Sequence, residues 1–413
     1  MSSFQQFNFS EVIAKNIADA GFSEPTPIQK EAIPLVLTGR DILGLAQTGT
    51  GKTAAFVLPT LQRLLAGQRR MVRALVIAPT RELAEQINQV IMTLARETKL
   101  RSITIYGGAS MNRQLSDLKQ GADIVVACPG RLLDHLGRKT INLSYVETLI
   151  LDEADQMFDM GFLPAIKKII AQLPQSKQTL LFSATMPEEI RKLSQQILKN
   201  PAKVELARGP VAMIQHALYP VTQDLKTALL LHLLKDVGTD PILIFTKTKH
   251  KATRVAEQVK KAGYSSTCLQ GNLSQNRRAQ AMEGFKSGKF QILVATDIAA
   301  RGIDVNNISH IINYDIPANS ETYIHRIGRT ARAQKSGDAY TFVTAFDKDL
   351  VRDIEKSLGK AIEKRTVKEF DYGAKSTSFT DHSPHRPNTP APQNQRPKAT
   401  GKPRRQPYRG FGR

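Results

Sequence analysis

A glycine-rich segment near the amino terminus has the residue types and spacing of a phosphate-binding loop. Its residues, between a predicted strand and a predicted helix, are Ala46, Gln47, Thr48, Gly49, Thr50, Gly51, Lys52 and Thr53. Such a turn lets backbone N–H groups and the following helix terminus surround phosphates. Lys52 would reach the β- and γ-phosphates, and the Thr53 hydroxyl would ligate Mg²⁺. Ala46 stands where the general pattern has glycine, but the segment still predicts a nucleoside triphosphate site.

An acidic tetrapeptide, Asp152-Glu-Ala-Asp155, forms the second candidate site. It follows the apolar run 148–151, and a carboxylate at the carboxyl end of a strand faces the crevice where α/β sheets bind ligands. Asp152 is expected to hold Mg²⁺ through water, and Glu153 to position and deprotonate the attacking water. Alone, such a tetrapeptide is usually a solvated turn. One hundred residues after Lys52, on another strand of the same sheet, it predicts triphosphate hydrolysis.

Short apolar runs precede most of these residues and are typical of strands buried on both faces. The runs are 41–45, 74–78, 123–127, 147–151 and 179–182 in the first half, and 241–245, 291–295, 310–314 and 339–343 in the second. Amphipathic stretches such as 82–97 separate them. Because continuous apolar strands with helical crossovers form parallel sheets, the sequence predicts an α/β fold of two parallel-sheet domains in tandem.

Breaks in this pattern suggest the domain boundaries. The first domain is predicted over 1–206, a linker containing Gly209 and Pro210 over 207–216, and the second domain over 217–371. Beyond them, residues 372–413 are predicted to be a disordered basic tail. Its last 41 residues hold seven prolines and nine lysines or arginines against one acidic residue, with few aliphatic side chains to bury.

The overall charge indicates a polyanionic partner. The 413 residues contain 58 lysines and arginines against 37 acidic residues, a net charge of +21, which favours nucleic acid or an anionic membrane. No apolar run reaches the roughly 18 residues of a membrane span, so nucleic acid is favoured. The two cysteines, Cys128 and Cys268, form no disulfide framework. With no secretory signal visible, a cytoplasmic location is expected.

The order of motifs along residues 4–345 resembles that of the DEAD-box ATP-dependent RNA helicases. The motifs are the phosphate loop, Asp152-Glu-Ala-Asp155, Ser183-Ala-Thr185 and His325-Arg-Ile-Gly-Arg-Thr-Ala-Arg332. The short amino terminus, the segment 157–162 and the basic tail look most like the bacterial RhlE type. The resemblance implies two RecA-like domains, RNA-stimulated hydrolysis of ATP to ADP and phosphate, and local, non-processive unwinding.

The same resemblance assigns roles to individual residues. Adenine recognition falls to Gln29, whose amide can donate and accept, with Phe4 stacking on the base and Phe22 beside them. Ribose contacts fall to Gly302 and Asp304, and arginine fingers to Arg329 and Arg332. RNA backbone contacts are expected from Pro79, Thr80, Arg81, Gly107, Gly108, Pro129, Gly130, Arg131, Thr246, Gln275, Arg278 and Thr296. Coupling between the two sites is expected from Ser183, Thr185 and His325.

Three positions depart from the family pattern. Cys128 stands in place of a threonine that could contact RNA, Gln270 in place of histidine, and Ala331 in place of glycine. None of them removes a catalytic group.

Two other functions fit the same residues. One is an ATP-gated RNA-binding or annealing protein, and the other, less favoured by Gln29 and the acidic motif, is a DNA-directed translocase. The expected partners are structured or duplex RNA bound without sequence preference, with ribosomal precursors or RNA-degradation proteins implied by the resemblance, and the protein is expected to be a monomer.

Overall fold

The computed structural model describes residues 3–46, 49–206, 214–300, 308–330 and 337–373. Within these residues two seven-stranded sheets follow one another along the chain, and each alternates with helices. All the strand pairings found there are parallel. The predicted tandem of parallel α/β domains is therefore confirmed. We call the described residues before 207 lobe 1 and those after 213 lobe 2.

The sheet of lobe 1 has the strand order β3-β4-β2-β5-β6-β1-β7. These strands are β1 (Ile42–Leu45), β2 (Ala74–Ile77), β3 (Ser102–Ile105), β4 (Ile124–Ala127), β5 (Thr148–Leu151), β6 (Gln178–Ser183) and β7 (Ala202–Glu205). The central strands β2, β4, β5 and β6 are buried along their whole length. They are the continuous apolar runs of the sequence, because helices cover both of their faces.

The sheet of lobe 2 has the order β10-β11-β9-β12-β13-β8-β14. These strands are β8 (Ile214–Pro220), β9 (Ile242–Thr246), β10 (Ser266–Leu269), β11 (Ile292–Thr296), β12 (His310–Asn313), β13 (Gly337–Val343) and β14 (Glu363–Lys364). Strand β8 begins at Ile214, inside the stretch 207–216 assigned to the linker, and residues 207–213 lie outside the described part of the chain.

Helices connect the strands and cover both sheets. After a 3₁₀ helix at Ser3–Phe7, lobe 1 has α1 (Glu11–Asp19), α2 (Pro27–Leu37), α3 (Lys52–Leu64), α4 (Arg81–Leu94), α5 (Met111–Lys119), α6 (Pro129–Gly137), α7 (Ala154–Asp159), α8 (Leu163–Ile170) and α9 (Glu188–Ile197). Lobe 2 has α10 (Lys226–Leu233), α11 (Lys249–Lys261), α12 (Gln275–Lys286), α13 (Asp297–Ala300), α14 (Ser320–Ile327) and α15 (Lys348–Leu358). Two apolar clusters, one on each face of the sheet, form the core of lobe 1.

The described chain ends in a short segment that packs on lobe 2. Phe370 and Tyr372 stack edge to face at 4.8 Å, and Phe370 also meets His232 of α10. Nearly all of the predicted basic tail, residues 374–413, lies outside the described residues. Among the helices described, none is long and apolar enough to cross a membrane.

Candidate active site

The candidate residues of lobe 1 gather at the carboxyl edge of its sheet. The phosphate loop follows β1, the acidic tetrapeptide follows β5, and Ser183 ends β6. Because β5, β6 and β1 are neighbours in a parallel sheet, their carboxyl ends meet. Residues distant in sequence are thereby brought to one half of one edge, where open α/β sheets bind ligands.

Lys52 and Asp152 face each other at this edge. Lys52 is buried at the start of α3, and its Nζ donates to the carbonyl of Ala46 at 2.9 Å. The same Nζ lies 4.0 Å from Asp152 Oδ1. Burial raises the pKa of Asp152 to about 6, although the charge of Lys52 opposes the shift. A buried carboxylate of this kind is stabilised as an anion when a cation binds beside it.

The donor set at this edge fits Mg²⁺ brought in with a triphosphate. Among the described residues no cluster of three or more His, Cys, Asp or Glu could hold a metal by itself. Mg²⁺ typically keeps several waters and binds one or two carboxylates together with substrate phosphates. Asp152 and the half-buried Thr53 are the groups that would hold the ion, which would neutralise phosphate charge when bound.

Glu153 has an unusual backbone conformation. Its φ and ψ are both 52°, the left-handed region that residues with a side chain rarely adopt. The residue is 2% exposed and precedes α7. Such strain persists where the surrounding structure enforces it, and it clusters at functional positions. The strain is consistent with the general-base role predicted for Glu153.

Gln29 is positioned by two hydrogen bonds of its amide. Its Oε1 accepts from Thr26 N at 2.9 Å, which closes a capping box at the start of α2. Its Nε2 donates to the carbonyl of Gly51 in the phosphate loop at 3.0 Å. An amide has two donor hydrogens and two acceptor lone pairs. One donor and one acceptor therefore remain to read the edge of a base, on a side chain that already contacts the phosphate loop.

Replacing Gln29 by alanine is expected to weaken the preference for ATP over GTP. The substitution removes the amide that would read the base without adding a charge beside the triphosphate, so the KM for ATP should rise about tenfold while that for GTP changes little. Steady-state ATPase and GTPase assays check this, with the exposed Gln68→Ala as the matched control. Equal increases in both KM values would show that Gln29 supports the loop without reading the base.

The two aromatic candidates for base stacking differ in burial. Phe4 is 3% exposed and packs edge-on against Phe7 at 5.9 Å and Phe22 at 6.1 Å. Phe22 is half-buried. Phe4 is almost completely buried in this arrangement, so stacking on adenine stays a prediction.

Asp155 connects the candidate coupling residues. Its Oδ2 accepts from Thr185 N at 2.7 Å, from Thr185 Oγ1 at 3.0 Å and from Ala184 N, while its own N–H donates to Ser183 Oγ. His325 of lobe 2 reaches the same carboxylate, with Nε2 3.6 Å from Oδ2. Burial alone would raise the pKa of Asp155, but the hydrogen bond and charge of His325 outweigh burial and help to hold this pKa well below its usual range. The three predicted coupling residues are thus brought together by one carboxylate.

Helix α14 carries the arginine motif of lobe 2. Arg329 is buried just beyond its end, in an open recess that it shares with His325. Arg326 makes a bidentate contact with Asp297, with Nε–Oδ1 at 2.6 Å and Nη2–Oδ2 at 2.8 Å, which fixes the helix against α13. Five predicted site residues lie outside the described residues: Gln47, Thr48, Gly302, Asp304 and Arg332.

The candidate RNA residues of lobe 1 follow β2, β3 and β4. These strands form the other half of the same carboxyl edge, beside the nucleotide half. The Arg81 guanidinium packs over Gly108, which has φ of +81°. The positive φ favours glycine at this position. Arg131 is held by the carbonyl of Ala109 at 3.3 Å, and Gly130 is exposed. Pro79, Thr80, Gly107 and Pro129 lie in the same turns.

The candidate RNA residues of lobe 2 follow β9, β10 and β11, which are neighbours at one side of its sheet. Thr296 and Gln275 are half-buried at the ends of their strand and loop. Thr246 is fully buried and donates to the carbonyl of Thr248, so its side chain supports the turn. Arg278 is 6% exposed, and its Nε donates to Glu82 of lobe 1 at 2.5 Å. Its partner in the structure is a carboxylate, where a phosphate contact was predicted.

Sequence reasoning assigned no role to Asp155, Glu82, Arg326 or Asp297. Asp155 and Glu82 stand inside motifs that were recognised, yet their cross-lobe partners, His325 and Arg278, lie 170 (325 − 155) and 196 positions later in the chain. No periodicity or spacing could have revealed those partners.

Comparison with known proteins agrees with this arrangement. A family profile described as DEAD/DEAH box helicase matches residues 26–193, and one described as helicase conserved C-terminal domain matches residues 225–334. The chain is 41% identical over 363 residues to the DEAD-box ATP-dependent RNA helicase CshA of Bacillus subtilis (strain 168). That match covers 87% of this chain and 73% of CshA. The relatives compared carry the CshA name, so the expected RhlE subtype is not supported.

Solved structures agree as well. Dbp5 of S. cerevisiae bound to RNA and ADP BeF3 is 30% identical, with a TM-score of 0.81 over 88% of this chain and 96% of that chain. A Dbp5 variant bound to Nup159, a Gle1 variant, IP6 and ADP gives a TM-score of 0.59 at the same sequence identity and coverage. The expected fold of two RecA-like domains is thereby confirmed. The chain belongs to the DEAD-box family of ATP-dependent RNA helicases.

Proposed function

We propose that this protein is an ATP-gated RNA clamp that separates short RNA duplexes locally. ATP and Mg²⁺ bind the edge of lobe 1, RNA lies across both lobes, and the joining of the lobes completes the ATPase site. The same joining brings together the two halves of the RNA-binding edge. Each ligand then favours the same state, so the coupling between them is reciprocal.

The observation that carries this proposal is the contact between His325 and Asp155. It joins lobe 2 to the carboxylate that also holds Ser183 and Thr185, beside the nucleotide edge. His325 of lobe 2 can therefore reach Asp155 of the hydrolytic motif only when the two lobes have joined. The closer superposition on Dbp5 bound to RNA and ADP BeF3 than on Dbp5 bound to ADP and partner proteins supports the same arrangement of lobes.

The chain's own residues would divide the chemical work as follows. Lys52 and the loop around it hold the phosphates, and Glu153 takes the proton of the attacking water. Arg329, from lobe 2, stabilises charge that develops on the phosphates as the bond breaks. Arg81, Gly130 and Thr296 would contact the RNA backbone. Its phosphates and 2′-hydroxyls are the same in every RNA sequence.

Unwinding is expected to be limited to short duplexes. Stacking averages about 1.4 kcal/mol per step by the DNA figure, so one closure of the lobes can disrupt only a few base pairs. Strand-displacement assays on duplexes from about 10 to 30 base pairs check this, and the yield should fall steeply with length.

That assay, run beside an annealing assay and an ATPase assay with RNA or DNA, separates the alternatives. A yield that stays constant well past two helical turns would show a processive translocase. Strand annealing without displacement would show an RNA chaperone, and ATPase stimulation by DNA equal to that by RNA would show a DNA-directed motor. The proposed setting is the cytoplasm, as a monomer acting in ribosome assembly or RNA turnover. RNA fragments crosslinked to the protein in its own cell would identify that setting.

A further inference from the structure

A buried glutamine joins two of the segments that carry candidate RNA residues in lobe 1. Gln114 belongs to α5 and is 4% exposed. Its Nε2 donates to the carbonyl of Tyr106, immediately before the turn of Gly107 and Gly108, at 2.9 Å. Its Oε1 accepts from Nη1 of Arg131 in α6 at 3.3 Å. One side chain therefore ties the turn after β3 to the helix after β4.

The two neighbours of this amide fix its orientation. A backbone carbonyl can only accept a hydrogen bond, and a guanidinium can only donate one. The Nε2 of Gln114 must therefore face Tyr106, and its Oε1 must face Arg131, because turning the amide over would lose both bonds. A buried polar group that loses its partner also keeps the full cost of its desolvation. The link between the two segments is thus specified by hydrogen bonding as well as by packing.

His135 supports the same amide oxygen from within α6. It is completely buried, and its Nε2 lies 3.1 Å from Oε1 of Gln114. Since an amide oxygen only accepts, Nε2 carries a proton, and Nδ1 of the neutral ring accepts from Oγ1 of Thr140 at 2.8 Å. Burial and the charge of Arg131 lower the pKa of His135, which favours the neutral ring. The histidine is therefore a fixed donor to Gln114.

These bonds restrain Arg131 without using its whole guanidinium. Its Nη1 donates to Gln114 and to the carbonyl of Ala109, both at 3.3 Å. A guanidinium has five N–H donors, so one nitrogen can be held while the others present N–H groups to a phosphate. The carboxylate of Asp134 lies 3.7 Å from Nε but is mostly exposed, so water screens its charge.

We propose that Gln114 and His135 are positioning residues for RNA binding, which hold Arg131 and the turn after Tyr106 in the arrangement that the RNA backbone meets. The inference rests on the proposed function, in which this edge of lobe 1 contacts RNA. A side chain and a turn that are fixed before binding lose less conformational entropy when RNA arrives, which raises affinity without a new contact. All of these residues belong to lobe 1, so their effect is independent of lobe closure.

Replacing Gln114 by methionine tests this role, because methionine keeps the length of the side chain but makes neither hydrogen bond. The matched control is Gln178→Met, at the start of β6 on the opposite edge of lobe 1. Gln178 is 6% exposed, donates to the carbonyls of Val36 and Arg40, and accepts from Arg63. The two substitutions therefore remove the same kind of buried bonds, one at the RNA edge and one far from it.

RNA affinity and the chemical step are measured separately for each variant. Gln114→Met should raise the Kd for a fluorescent oligouridine about tenfold, by the same factor with ADP–BeF3 and without nucleotide. The RNA concentration that half-saturates the ATPase should rise equally, while kcat at saturating RNA stays within about twofold of the wild type. Gln178→Met should lower the thermal unfolding temperature as much as Gln114→Met does, yet leave RNA affinity within about twofold of the wild type.

Two substitutions of His135 separate hydrogen bonding from packing. Methionine and glutamine have similar lengths, but only glutamine can place an N–H group where Nε2 of the histidine stands. His135→Met should raise the oligouridine Kd about threefold or more, and His135→Gln should recover most of the wild-type affinity.

Three results would contradict the proposal. Gln114→Met could change RNA affinity no more than Gln178→Met does, or it could lower kcat at saturating RNA as strongly as it weakens binding; either result would show that Gln114 supports only the fold. Equal effects of His135→Met and His135→Gln would show that His135 acts by packing alone. The proposed function fails separately if RNA does not stimulate the wild-type ATPase, and a tenfold weaker oligouridine binding by Gln114→Met would then still establish the positioning role.

Discussion

Replacing Glu153 by glutamine is expected to reduce RNA-stimulated ATP turnover by about 10²–10⁴-fold, the usual contribution of a general base. Glutamine keeps the size and the polar character of the side chain but cannot accept a proton at neutral pH. The left-handed backbone at this position should be retained, since the surrounding structure enforces it. Binding of ATP and RNA should therefore survive, and the variant should stay in the RNA-bound state.

Single-turnover ATP hydrolysis and RNA anisotropy, measured on the same preparation, check this prediction. Glu31→Gln, an exposed residue of α2, is the matched control and should hydrolyse ATP at the wild-type rate. Rapid hydrolysis by Glu153→Gln would end its assignment as the base. Loss of RNA and ATP binding together with turnover would instead indicate a structural role.

Replacing Arg329 by alanine is expected to lower the RNA-stimulated ATPase rate by about 10³–10⁵-fold, the range attributed to arginine fingers. The residue belongs to lobe 2, and its recess is shared with His325, which reaches Asp155 of lobe 1. Its effect should therefore appear mainly in the state that RNA and ATP induce. The slow ATPase activity without RNA should change much less, because that activity does not depend on the joined lobes.

The ratio of RNA-stimulated to basal kcat for ATP hydrolysis tests whether Arg329 acts as an arginine finger. Arg352→Ala on the exposed face of α15 serves as control, since its side chain is 79% exposed. A lysine at position 329 should recover only part of the rate, because an ammonium lacks the planar fork of guanidinium. A ratio for Arg329→Ala within a few-fold of the wild type would show that this arginine does not act on the transferred phosphate.

The central strands were predictable because they are buried on both faces. The runs 74–78, 123–127, 147–151, 241–245 and 291–295 correspond to observed strands with shifts of about one residue. Their residues are apolar throughout, and helices cover both sides of the sheet.

The strands that were not predicted have a mixed pattern. Ser102–Ile105, Ala202–Glu205 and Ser266–Leu269 lie at the edges of the two sheets and mix buried with more exposed side chains. Short alternating runs of this kind are hard to separate from loops. Ile214–Pro220 was not predicted either, because the glycine and proline just before it indicated a linker.

The nucleotide half of the site could be predicted from sequence more fully than the RNA half. Lys52 and Asp152 belong to contiguous motifs, and a parallel sheet brings the ends of such motifs together whatever lies between them. Arg278 and Thr246 were assigned by resemblance, yet the first pairs with Glu82 and the second is buried beneath its turn. The first contact depends on packing between the lobes and the second on the turn after β9, and no sequence pattern specifies either.

ATP and RNA are expected to favour the same joined state, and reciprocal binding measurements test this most directly. The affinity for ADP–BeF3 is measured with and without saturating oligouridine, and the affinity for oligouridine with and without saturating ADP–BeF3. Linkage requires both ratios to be the same number, and we predict a value of at least about tenfold, within the usual range of coupling between sites. RNA that leaves the affinity for ADP–BeF3 unchanged would contradict the account.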